Sequence, residues 1–143
     1  MPEESYGPIT LIRGGNRGRY PYCHSLFIPA AGVLIDPSSD RDALIRLRDD
    51  GAVKAVWLSH WHEDHLMHLD LFDGLPLWMA EEDAPPLADV EVFLDWYRLD
   101  RPAERDYWRE ILRKQFHFRP RRAARFLKDG EVVDLGGLTV EVL

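Results

Sequence analysis

Residues 52 to 58, AVKAVWL, leave the chain the fewest options. The run is short, almost wholly apolar and rich in β-formers, which suits a strand buried on both faces and disfavours one with a wet side. A strand of that kind needs covering layers above and below. The segment before it supplies one: Asp36, Pro37, Ser38, Ser39 and Asp40 carry helix-start chemistry. Ala43, Leu44 and Leu47 then recur at helical spacing until Gly51.

Ahead of that helix, Ile9 to Ile12, Tyr22 to Ile28 and Val33 to Ile35 read as three strands of an antiparallel meander, separated by GGNRG and by a Pro29 to Gly32 turn. After the buried run, LMHLDLF reads as a short helix and LPLWM as a brief strand. Two amphipathic helices are predicted between Ala88 and Gln115, broken at Pro102. The tail DGEVVDLGGLTVEVL alternates apolar and polar residues on either side of Gly136 and Gly137, the pattern of a tight hairpin. One domain of 143 residues is expected, large enough to bury roughly 70% of its unfolded surface.

Directly after the buried run comes SHWHEDHLMH, which places four of the six histidines within nine positions. Loops at strand ends are where layered α/β folds gather ligand-binding groups, because the strand fixes the loop while solvent still reaches it. His60 and His62 are two apart, so in an extended loop both imidazoles project to one side and reach one ion. Asp64 and His65 follow where the next helix is predicted to begin, placed to face a second ion. Imidazole and carboxylate donors suit Zn(II) first, with Fe(II) or Mn(II) as options. Cys23 is the sole cysteine, which argues against a Cys-rich zinc cluster and reads as a small buried residue. Trp61 and Glu63 alternate with the ligands and are expected to point away, the first packed and the second exposed.

The HWHEDH residues match the HxHxDH signature of the metallo-β-lactamase superfamily. HSLFI at 24 to 28 and GVLIDPS at 32 to 38 resemble that family's opening meander, and DGEVVDLGGLTVEVL resembles the hairpin preceding its next ligand motif. The resemblance covers nearly the whole chain, residues 88 to 128 being least typical and read as a helical insertion. It implies an α/β (α+β) chain holding half of an αββα sandwich, a mixed and antiparallel sheet with flanking helices. It also implies a hydrolase working with metal-activated water on one or two ions. His60 and His62 would bind the first ion, Asp64 and His65 the second, and Asp64 would orient the attacking water. The family has small glycines after its last motif histidine where this chain has LMH. Its remaining ligands, a histidine after the hairpin, a bridging aspartate and a last histidine, fall beyond Leu143. The expectation is therefore the N-terminal portion of a longer hydrolase, the 143-residue chain being inactive on its own.

Composition narrows the partners. A net charge of −7 argues against bulk nucleic-acid binding, although RKQFHFRPRRAARFLK at 113 to 128 carries seven basic residues and three Phe. Arg121 and Arg122 are the candidate anion contacts there, and a phosphodiester or nucleic-acid substrate is the alternative they support. His24 and His68 are candidate supports behind the metal ligands. No window has the length and apolarity of a membrane span or signal peptide, and a cytoplasmic chain acting on a small molecule is expected. A half-sandwich also leaves a sheet face to cover, so self-association, even as an inactive fragment, is the other alternative.

Overall fold

The computed structural model describes residues 3–143. β5 (Ala55–Trp57) realises the buried run, with all three residues shielded from solvent. β4 (Val33–Ile35) lies parallel on one side, pairing Val33, Leu34 and Ile35 with Ala55, Val56 and Trp57. β6 (Leu77–Ala80) lies parallel on the other. β1 (Glu3–Tyr6), β2 (Ile9–Ile12) and β3 (Ser25–Ile28) extend the β4 side as an antiparallel meander, and β7 (Arg125–Leu127) adds a parallel edge beside β6. The result is one mixed seven-stranded sheet ordered β1 to β7, the mixed α/β architecture predicted from sequence.

The period of two along each strand divides the core. Phe27, Leu34 and Val56 face the helical side, where α1 (Arg41–Asp49), α2 (Pro85–Ala88), α3 (Val90–Trp96) and α4 (Pro102–Lys114) contribute Leu44, Leu87, Phe93 and Leu112. Their neighbours Ile28, Val33, Ala55 and Trp57 face the other way, against a hairpin of β8 (Val132–Asp134) and β9 (Thr139–Glu141). On that face Trp57 stacks on Trp78, centroids 5.4 Å apart. Asp40 starts α1 by accepting a hydrogen bond from the Ala43 amide at 2.7 Å. Gly136 and Gly137 make the predicted hairpin turn with φ of 78° and 102°, a region closed to most side chains.

Three expectations change. LMHLDLF forms no α-helix: residues 63–65 and 69–72 are separate 3₁₀ turns, so Asp64 gains little from a helix dipole. The helical reading of 88–128 holds to Lys114, after which the chain runs irregularly into β7, because the Arg125–Leu127 backbone completes the β6 edge. β1 was not predicted, since its burial is slight and its residues are polar.

Candidate metal centre

The histidine loop leaves the carboxyl end of β5 and is organised by a residue from the neighbouring strand. Asp36 follows β4, and because β4 and β5 run parallel in register, its carboxylate reaches the start of the loop. Oδ1 accepts from the Ser59 amide at 2.8 Å, while Oδ2 accepts from the Ser59 hydroxyl at 2.7 Å and faces His65 Nδ1 at 2.9 Å. The Asp36 backbone is equally committed: its amide donates to Trp57 and its carbonyl accepts from the Ser25 hydroxyl at 2.6 Å. Asp36 adopts φ of 54°, a left-handed conformation that aspartate tolerates better than most residues and that elsewhere marks functional sites.

These bonds set the tautomers. Since the Ser59 hydroxyl donates to Asp36, it accepts from His60 Nδ1, 2.9 Å away, and Asp36 likewise takes the His65 Nδ1 proton. In the neutral form both rings therefore carry their proton on Nδ1 and offer Nε2 as an acceptor. Their centroids are 4.2 Å apart, and the His62 ring lies 4.6 Å from that of His60. Asp64 Oδ2 sits 3.7 Å from His65 Nε2. Desolvation, with the neighbouring His65 and His62, holds His60 below the ordinary imidazole pKa, while the hydrogen bond to Asp36 lifts His65 above it. Asp83, in the turn after β6, is raised by burial and by Glu82, against the opposing charges of His60 and His62.

The donor set fits a divalent transition metal: three clustered imidazoles, one adjacent carboxylate, and a carboxylate behind two of the rings. The structure thus brings His60, His62, Asp64 and His65 to one strand end. Three residues whose ligand atoms all lie within 4.8 Å of one another occur, among the described residues, in a different group: His68, Asp70 and His117. There Arg41 Nη1 lies 3.0 Å from His68 Nδ1, 3.1 Å from Asp70 Oδ1 and 3.5 Å from His117 Nδ1. The guanidinium already supplies the positive charge a metal would bring to that group. The motif's donors are more widely set, and an ion would have to draw them together.

The other candidates that the sequence suggested can be placed just as directly, each by the contact it makes. His24 accepts a hydrogen bond from the Gly14 amide at 2.9 Å, beneath a turn where a Cβ on Gly14 would meet the Cys23 carbonyl at 2.2 Å. His68 belongs to the Arg41 cluster. Arg121 donates to the Leu75 carbonyl and lies 3.7 Å from Asp73, and Arg122 is exposed. Much of the basic stretch is paired: Arg113 and Lys114 with Glu110, Arg119 with Asp73, Arg125 with Glu131. Glu63 overturns its expectation, being 5% exposed, with Tyr20 and Tyr97 donating to its two carboxylate oxygens. Asp36 is the residue that sequence reasoning assigned to a helix start and missed for the site; its signal was its position at the end of a strand beside β5.

No family model and no curated protein matches the chain. Among solved structures it is similar to a subclass B3 metallo-beta-lactamase of Bradyrhizobium japonicum, at 18% identity and a TM-score of 0.47, covering 92% of this chain and 42% of that one. A metallo-beta-lactamase family protein from Thermus thermophilus gives 22% identity, a TM-score of 0.47, and coverage of 98% and 48%. A beta-lactamase domain protein from Burkholderia ambifaria gives 22%, 0.46, and coverage of 97% and 44%. The chain spans less than half the length of each of these three.

Proposed function

We propose that the protein is a metal-dependent hydrolase of the metallo-β-lactamase superfamily, its ion or ions, Zn(II) first, held by His60, His62, Asp64 and His65. The observation that carries this reading is the Asp36 relay, which engages the Nδ1 atoms of His60, through Ser59, and of His65, and leaves their Nε2 atoms as the available donors at the end of β5. A divalent ion bound there supplies a nucleophilic water at neutral pH and polarises the group under attack. The protein's own part is to hold geometry. Asp36 and Ser59 fix two imidazoles, and Asp64, half-buried beside His65, accepts a hydrogen bond from the attacking water and aims it.

Substrates with an electrophilic carbon or phosphorus fit this chemistry: esters, lactones, thioesters, amides or phosphodiesters. The pairing within 113 to 128 supports the carbonyl compounds over a nucleic acid, since much of the charge that would grip phosphates is already neutralised.

Metal analysis of the purified chain tests the proposal. Bound zinc, iron or manganese in stoichiometric amount is expected, lost on joint replacement of His60 and His62 by alanine and retained on joint replacement of His68 and His117. Metal content indifferent to the first pair would sink the reading.

A further inference from the structure

We propose that Glu63 is a positioning residue of the histidine loop, its carboxylate clamped between the phenols of Tyr20 and Tyr97 so that His62 and Asp64 are held in fixed directions. This rests on the metal-site reading above.

A glutamate flanked by metal-binding side chains is ordinarily either a ligand or a solvated acid. Glu63 is neither. Its side chain turns inward while His62 and Asp64 on either side stay half-buried. The Tyr20 hydroxyl donates to Oε1 at 2.8 Å and the Tyr97 hydroxyl to Oε2 at 2.5 Å, so each oxygen has its own donor and the carboxylate plane cannot turn freely. The donors lie 43 positions before and 34 positions after it in sequence. The clamp therefore ties the loop to two otherwise separate segments.

The surroundings strengthen it. Glu63 is the acidic wall of a cavity of about 120 Å³ otherwise lined by apolar and aromatic side chains, among them Phe93, Leu99, Trp108 and Leu112. Burial of the Glu63 carboxylate raises the worth of each hydrogen bond made to it and the cost of losing one. Tyr97 also lies beside a candidate ligand: its ring is inclined by 28° to that of His62, centroids 5.9 Å apart. Trp61, the residue before His62 in the chain, packs on Phe93, Trp96 and Tyr97 with centroids 5.1, 5.3 and 4.9 Å apart. The carboxyl end of α3 is thus the seat on which the loop rests, which gives the helical segment a role in the site.

A residue that only stabilised the fold would change global unfolding and leave metal affinity unmoved once the protein is folded. A positioning residue changes affinity while the fold persists. The test uses the full chain, titrated with Zn(II) by competition calorimetry and followed by amide hydrogen exchange, for wild type, Glu63→Gln, Tyr97→Phe and the double variant Tyr20→Phe/Tyr97→Phe. The double variant is expected to bind zinc about 10- to 100-fold more weakly. Each variant with one hydrogen bond left should fall between. Exchange should speed up at residues 59–66 and not in β5 or α1. Wild-type affinity with unchanged exchange in the double variant overturns the proposal, as does faster exchange spread over the whole sheet. Should wild type bind no zinc, the metal reading fails separately: faster exchange confined to 59–66 still upholds the clamp, and unchanged exchange removes it.

Discussion

Acidification should destabilise this protein through His68 before most carboxylates protonate. His68 is 4% exposed, and burial, the Arg41 guanidinium and His117 together push its pKa from 6.5 down to about 4, against the opposing pull of Asp70 and a backbone bond to Ser39. The folded-state value is depressed, so the unfolded chain binds the proton more tightly. The stabilisation is complete above pH 6.5 and is lost as the pH falls towards 4. From those two values, the loss between pH 7 and pH 5 is about 2 kcal/mol, and about 3 kcal/mol once both states are protonated. Asp70 acts in the same direction: burial raises it, but the Arg41 hydrogen bonds and charge outweigh that and hold it low, so its protonation removes stability at still lower pH. The assay is urea unfolding followed by tryptophan fluorescence at pH 7, 6 and 5, for wild type and His68→Asn. The variant is less stable throughout, but its dependence on pH across this range should be flatter by about 2 kcal/mol. Equal slopes for the two proteins would refute the reasoning, because every other titrating group is common to both.

Two further outcomes are open to direct measurement. Burial first, and the charge of Asp36 second, push the Cys23 thiol up to about 12, so alkylation by iodoacetamide at pH 8 should be about a thousandfold slower in the native protein than in guanidinium. Similar rates in the two states would show the thiol to be open. Replacing Asp40 by alanine removes the acceptor for the Ala43 amide and should cost about 1 kcal/mol by urea midpoint, with Asp40→Asn restoring most of it.

What could be read from the sequence was whatever depends on neighbours in the chain. The buried run at 52–58, the α1 start at Asp40 and the turn at Gly136 and Gly137 announce themselves through local pattern, as does the spacing of His60, His62, Asp64 and His65. Asp36 does not, because its task follows from β4 lying parallel to β5, and a residue 23 positions before Ser59 gives no local sign of touching it. Glu63 was misplaced for a related reason. Alternation along an extended loop separates it from its neighbours His62 and Asp64, but whether its side chain meets water or a cavity is decided by Tyr20 and by residues 93 to 112. β7 was hidden by its composition: a short strand in an arginine-rich stretch looks solvated until Glu131 and the Trp78 ring take up Arg125.

The pairing of Ile35 with Trp57 places Asp36 one step past β4 and Ser59 two steps past Trp57. The same pairing assigns Val56 to the helical core and Trp57 to the hairpin core. A slip of one residue between these two strands would exchange inward and outward side chains across both layers and carry the carboxylate away from its imidazoles in the same movement. Strand alignment and assembly of the contacts from Asp36 to Ser59 and His65 are therefore one event for this chain. A misaligned molecule that kept its secondary structure would be recognisable by the loss of the contact between Asp36 and His65.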